Sequence, residues 1–272
     1  MLTEQQLQQY REDGCIVVED VIDTATRSAM LRQVDAWVAA AKGVETHDNV
    51  YDLEPTHTAQ QPRVRRVKKP HTLAPLYWNV LKSEPLLSIL KQILGANMRL
   101  HGSKLNIKAP RFGSPVEWHQ DWAFYPHTND DVLATGILLD DCSEENGPML
   151  VVPGSHRERT FDHHSDGVFC GAITGELNQI AFDKAVPMMG RAGSMSIHHV
   201  RALHGSAQNV SKQPRRLLLF EYAAADAFPL MGVADHADFD SRIVLGEPTV
   251  MPRIRPAPVR MPLPPAKAQG SI

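Results

Sequence analysis

EWHQDWAFYP, Glu117 to Pro126, is the stretch around which the chain is read. It sets an imidazole, His119, and a carboxylate, Asp121, two residues apart, and a strand points such residues to one face. Trp118, Trp122, Phe124 and Tyr125 flank the pair and would wall it from water. The pattern suits two ligands of one metal ion held on a β-rich scaffold. Outward from it lie short strand-like runs separated by turn residues: MRLHGSKLNIKAP before it, then VLATGILLDD, PMLVVPGS, AGSMSIHH and RRLLLFEYAA after it. Such a succession predicts an antiparallel sandwich or barrel. Asn146-Gly147, Pro153-Gly154 and Ala192-Gly193 supply the turns.

Toward the N-terminus the period changes. Thr3 with Gln6 reads as a capping box, Leu7 and Tyr10 give an apolar side, and Gly14 suits the position past the end of a short helix. CIVVEDVI reads as a strand. A longer helix follows from about Thr24, with Met30, Val34, Trp37, Val38 and Ala41 at helical spacing and Gly43 closing it. Glu84–Leu94 is a third amphipathic helix, stopped by Gly95. Between them, residues 44–75 lack periodicity and carry the basic run PRVRRVKKPH, which reads either as a solvated loop or as a lid whose Arg65, Arg66, Lys68 and Lys69 greet an anionic substrate. A long insert, His156 to Pro187, interrupts the strands. The tail from Pro248 to Pro265 is proline-rich and predicts an extended strap or a disordered end. The expected organisation is one domain over residues 1–272: a helical part at 1–95 with its loop at 44–75, a β core at 96–225, and an extension at 226–272.

The 272 residues are 43% hydrophobic, enough for one large core. A net charge of -3 describes neither a nucleic-acid binder nor a membrane-surface protein. Cys15, Cys142 and Cys170 form no CxxC pair, so a cytoplasmic, reducing setting is expected. No apolar run approaches the roughly 18 residues of a span, and MLTEQQLQQY lacks the order of a signal peptide. Nothing in the sequence speaks to oligomeric state.

Three His-x-Asp pairs occur: His119/Asp121, His164/Asp166 and His236/Asp238. The last has no histidine downstream to complete a site, and His164/Asp166 lies in the polar stretch FDHHSDG, which reads as loop and would not hold ligand geometry. His119/Asp121 is preferred. His198, His199 and His204 are the candidate third ligands, and His204, 83 residues after Asp121, is best placed, before Gly205-Ser206 and a polar turn. Two histidines and an aspartate form the facial arrangement of non-haem Fe(II) oxygenases. Zinc could occupy such a set, but a closed structural zinc site wants a fourth protein ligand. Arg215 and Arg216 follow at the start of a buried strand. A guanidinium there needs a partner, and the distal carboxylate of 2-oxoglutarate accepts two parallel hydrogen bonds while its 2-oxo acid chelates iron. One of the two arginines is expected to make an ordinary salt bridge instead, and Ser206 could add a hydroxyl donor.

WHQD at Trp118 to Asp121, ENGPMLVVPGSH at Glu145 to His156, and LHGSAQN with its following arginine together resemble the phytanoyl-CoA dioxygenase family of Fe(II)/2-oxoglutarate-dependent oxygenases. The resemblance covers roughly Leu100 to Tyr222, and the N-terminal helix and strand also look like that family. It implies a double-stranded β-helix, a cupin-like jelly roll, with helices on one side. It implies His119, Asp121 and His204 as iron ligands, Arg215 and Ser206 on 2-oxoglutarate, and Asn106 or Lys108 from LNIKAP in the cosubstrate pocket. Arg216 would then sit on the opposite strand face. The implied reaction consumes O2 and 2-oxoglutarate, releases succinate and CO2, and hydroxylates a small molecule; the carboxylate of Asp121 favours hydroxylation over halogenation. Trp122, Tyr125, His127, Arg65 and Arg66 are the candidate substrate residues, and the basic run points to an acidic substrate. A non-catalytic metal-binding jelly roll and a zinc hydrolase are the competing readings; the arginine and the lack of a general base beside the site weigh against them.

Overall fold

Alternating side chains in stretches such as KLNIK and RLLLFEY become the two faces of one large sheet in the computed structural model, which describes residues 1–264. The strands are β1 (Cys15–Val18), β2 (Tyr51–Leu53), β3 (Val64–Lys68), β4 (Met98–Lys108), β5 (Val116–His119), β6 (Val132–Leu138), β7 (Met149–Val151), β8 (His164–Ser165), β9 (Val168–Phe169), β10 (Val186–Met188), β11 (Met195–His199), β12 (His204–Ser206), β13 (Arg215–Ala224) and β14 (Ile243–Leu245). The large sheet runs β1-β11-β6-β13-β4-β3-β2, with β14 also on β4, and a smaller one runs β10-β7-β12-β5. All recorded strand pairs are antiparallel. This two-sheet jelly roll is the fold class expected from the sequence.

One face of the large sheet is covered by helices. α1 (Glu4–Asp13) carries the expected capping box and ends at Gly14, whose φ of 73° needs a residue without Cβ. α2 (Thr24–Ala40), capped by Asp23, α3 (Pro70–Leu73), α4 (Pro75–Leu81) and α5 (Glu84–Leu94) follow. Met30, Val34 and Trp37 of α2, Tyr77 of α4, and Leu86 and Leu90 of α5 share one core with Leu105, Leu218, Phe220 and Tyr222 of the sheet. Each buried leucine contributes about 1.5–3 kcal/mol relative to exposure. The two buried tyrosines bond helix carbonyls, Tyr77 to Met30 O at 3.1 Å and Tyr222 to Leu81 O at 2.9 Å. The opposite face of the same strands carries Lys104, Asn106, Arg215, Leu217 and Leu219, and these look toward the small sheet across a cavity.

Two regions differ from the sequence reading, and the tail takes one of its two expected forms. Residues 44–75 are not simply loop: the basic run forms β3, which pairs with β4 and β2 and lengthens the large sheet. Its short, charged alternation gives no strand signal alone; the ladder offered by β4 supplies it. His164/Asp166 lies at a small β8–β9 hairpin, where the His164 ring bonds Asp162 rather than Asp166. The proline-rich tail is an extended strap over its described part, held by Arg253 on Asp226 and Asp131, and by Asn129 and Trp122 on the carbonyls of Arg253 and Pro258. Residues 265–272, the end of the expected extension, lie outside the described residues. Among the described residues no helix is long and apolar enough to cross a membrane.

Candidate active site

β5 and β12 are neighbours in the small sheet, and their register sets His204 directly opposite His119, with the rings 4.1 Å apart. Asp121 arrives differently from the sequence expectation. β5 ends at His119, and the carboxylate sits on a 3-10 turn, Asp121–Ala123, that folds it back toward the two imidazoles. One ligand atom from each of the three buried residues lies within 4.8 Å of the others. Asp121 Oδ1 is 3.7 Å from His119 Nε2 and 3.9 Å from His204 Nε2.

The local bonds fix which nitrogen faces inward. His119 Nδ1 is 2.7 Å from Glu117 O, and His204 Nδ1 is 2.9 Å from Ala202 O. A carbonyl only accepts, so each Nδ1 carries the proton and each Nε2 presents its lone pair. Burial pushes His119 down to about 4 and His204 well below the usual histidine value. Asp121 is held well below the carboxylate range: burial opposes this, but Lys104 and the surrounding histidines outweigh it. Two neutral imidazoles and one ionised carboxylate, converging without a proton to displace, are a donor set fitted to a ferrous ion. Of the other two candidate histidines, His198 stands behind Asp121, its Nε2 at 3.3 Å from Oδ2, and His199 on the next position faces the other way, against the His156 ring.

A cavity of about 360 Å³ opens beside the triad. At its far end the arginine pair resolves by alternation. Arg215 points inward, buried, with Nε and Nη2 on Gly147 O at 3.1 and 2.6 Å. Arg216 points outward, pairing with Asp140 and Asp35. Lys108 lies directly across the ladder from Arg215, and its Nζ bonds Ala207 O. Burial, then the neighbouring guanidinium of Arg215, pushes Lys108 down to about 6. Ser206 and Asn106 also line this space. Gly147 follows Asn146 at the expected turn with φ of 77°, and a Cβ there would lie 2.6 Å from Ala207 O, so only glycine lets its carbonyl reach Arg215.

The rest of the wall carries Tyr125, Phe124, Lys104, Arg65, Arg66, Lys68 and Asp52. Arg66 Nε donates to Asn106 Oδ1 at 3.0 Å, and Lys68 Nζ meets Asp52 at 2.7 Å. Arg65 donates to Pro115 O at 3.1 Å. The sequence candidates therefore divide. Tyr125, Arg65 and Arg66 line the cavity, whereas Trp122 is packed away among Val132, Val200 and Ala223, its indole on the strap. His127 is buried against His101 and Pro229, outside the cavity lining. Lys104, Asp52 and Glu221 were missed as site residues. The signal for Lys104 was present in KLNIK, where Lys104, Asn106 and Lys108 share a strand face that a two-sheet fold must bury.

Comparison with known proteins agrees with this geometry. Residues 10–217 match the phytanoyl-CoA dioxygenase (PhyH) family. The chain is 41% identical over 268 residues to the probable alpha-ketoglutarate-dependent hypophosphite dioxygenase of Stutzerimonas stutzeri, covering 97% of this chain and 93% of that protein. It is 28% identical over 238 residues to the ectoine dioxygenase of Bordetella parapertussis, 81% of this chain and 75% of that one. In fold it is similar to EctD of S. alaskensis solved with bound Fe, with a TM-score of 0.71 at 23% identity, over 94% of this chain and 88% of that chain. The chain belongs to the phytanoyl-CoA dioxygenase (PhyH) family, and it is an Fe(II)- and 2-oxoglutarate-dependent dioxygenase.

Proposed function

We propose that this dioxygenase oxidises a small anion, with His119, Asp121 and His204 holding the iron and Arg215, Ser206 and Lys108 receiving the distal carboxylate of 2-oxoglutarate. When bound, the iron and 2-oxoglutarate supply the oxygen-activating chemistry that releases succinate and CO2. The chain's own residues do the rest. Gly147 O pins the guanidinium of Arg215 from one side, so the fork is oriented before a carboxylate arrives. Phe124 stands edge-on to His119, with ring centroids 5.8 Å apart, and helps exclude water from the metal face. The Tyr125 hydroxyl stays protonated, raised by burial and then by Asp121, and remains a donor beside the reacting position.

The observation that carries the substrate class is charge. Six cationic side chains line the cavity: Arg65, Arg66, Lys68, Lys104, Lys108 and Arg215. Setting aside Lys108, which burial pushes down to about 6, the five other cations outnumber the four carboxylates around the cavity: Asp52, Asp121, the Glu221 that backs Lys104 and the Glu54 that holds Ser114. A ferrous ion and a 2-oxoglutarate dianion cancel each other, so the excess positive charge is left for the substrate. Unbalanced charge out of bulk water is costly, and an anion removes that cost. Size points the same way: about 360 Å³ is at the small end of ligand pockets and must hold the cosubstrate as well. Hypophosphite, the compound named for the Stutzerimonas relative, is a compact monoanion of this kind.

Substrate-stimulated succinate formation tests the reading. Hypophosphite and other small oxyanions should stimulate it, and the zwitterions ectoine and proline should not. Stimulation by the zwitterions with none by any small anion would refute the proposal.

A further inference from the structure

We propose that Lys104 is the residue that selects the anionic substrate, with Glu221 as the positioning residue that aims its ammonium at the metal face; this rests on the anion reading above. Lys104 sits at an inward position of β4, and its Nζ is 4.0 Å from Asp121 Oδ1 and 3.1 Å from Glu221 Oε1. Among the described residues it is the one lysine or arginine recorded within 4.0 Å of the metal-binding carboxylate. Its side chain keeps 23% of its surface accessible, and the residue lines the cavity.

An internal ion pair is a poor way to gain stability, because desolvation of both charges consumes most of the attraction. The inward neighbours on β13 are Leu217 and Leu219, so an apolar pair would suit the wall at least as well. What the ion pair adds is a directed donor group. An ammonium offers three N–H bonds. Glu221 engages one side of it, and Asp121 at 4.0 Å is beyond hydrogen-bonding distance.

The chain makes room for this arrangement. Gly102 faces Glu221 directly across the β4–β13 ladder, and a Cβ at Gly102 would lie 2.7 Å from Glu221 Oε2. The carboxylate therefore lies over a position that a side chain would contest. Lys68 stands opposite Lys104 in the β3–β4 register, an arrangement of like charges that destabilises a sheet. Each is tied to its own carboxylate, Lys68 to Asp52 and Lys104 to Glu221. Lys68 Nζ is turned to Asp52 and to the Asp48 carbonyl, so Lys104 is the one of the two whose ammonium lies by the metal-binding carboxylate.

Kinetics of Lys104→Met, Lys104→Arg and Glu221→Gln, with hypophosphite as probe and anaerobic Fe(II)/2-oxoglutarate absorbance as a second readout, test the proposal. Lys104→Met should keep the Fe(II)/2-oxoglutarate band and raise the hypophosphite KM by about 30-fold or more, while Glu221→Gln gives a smaller rise. Lys104→Arg, which keeps charge and occupies more room, should turn over hypophosphite and lose more kcat/KM for bulkier oxyanions. An unchanged KM in Lys104→Met overturns the proposal and leaves the anion reading standing. Loss of the band at retained fold also overturns it, assigning Lys104 to support of Asp121. An equal effect of Lys104→Arg on all anions overturns selection even if Lys104→Met fails to fold. A wild-type enzyme unresponsive to every anion sinks both readings together.

Discussion

Lys108 should make 2-oxoglutarate binding depend on pH. Burial and Arg215 push this lysine from its usual value down to about 6, so its ammonium is present below that pH and is lost as pH rises through it. The carboxylates of 2-oxoglutarate are ionised throughout the neutral range. A carboxylate at Arg215 lies beside Lys108, since the two residues are direct partners on the β4–β13 ladder, and it favours the protonated lysine. Binding therefore takes up a proton above pH 6, and apparent affinity falls with pH, approaching tenfold per unit. The fall ends where the neutral lysine's residual affinity takes over. A charge-assisted hydrogen bond is worth about 1.5–3 kcal/mol, so the total loss between pH 6 and 9 is roughly 10- to 100-fold. Anaerobic titration of iron-saturated enzyme, read by the visible charge-transfer band, measures it directly. Lys108→Met should bind weakly and show no slope. A wild-type affinity that is flat from pH 6 to 8, or a slope that survives in Lys108→Met, would refute the reasoning.

Other outcomes follow from the same geometry. Arg215→Met should weaken 2-oxoglutarate about 100-fold or more while leaving iron binding in place, because it removes a charged bidentate partner and nothing from the triad; Arg216→Ala should leave cosubstrate affinity unchanged and cost about 1 kcal/mol in denaturant melts through loss of the Asp140 pair. His204→Ala should abolish iron-dependent succinate formation, with metal content falling in parallel; full metal retention would mean that His198 had taken its place. Gly147→Ala should lower stability by about 1–3 kcal/mol, since φ is 77° and the new Cβ meets Ala207 O, and should also raise the Kd for 2-oxoglutarate by displacing the carbonyl on Arg215.

Much of the site was legible because its signals are local. A strand has period two, so once Arg215 and Arg216 are placed on a strand, one must face in and the other out; which one does so is decided by the distant Asp140, which pairs with Arg216. Glycine at Gly14, and at Gly147 after Asn146, marks turns by chemistry that needs no tertiary context. The rest depends on partners far away in sequence. The basic run becomes a strand only because β4 presents an open ladder to it, and its charges then gather at the cavity rather than in solvent. Trp122 follows Asp121 yet leaves the cavity, because the 3-10 turn that brings Asp121 back toward the two imidazoles sets its neighbour against Val132 and the strap.

By itself the sequence determined the strand and helix faces, the turns, and the set of side chains able to bind a metal and a carboxylate, since each follows from periodicity, backbone conformational preference or donor type within a few residues. Tertiary structure decided which of those side chains meet. Register alone sets His204 opposite His119, Lys108 opposite Arg215 and Glu221 opposite Gly102, within reach of Lys104. A shift of two residues would keep every inward group facing inward and still break these pairings, and the alternation within one strand does not distinguish the two.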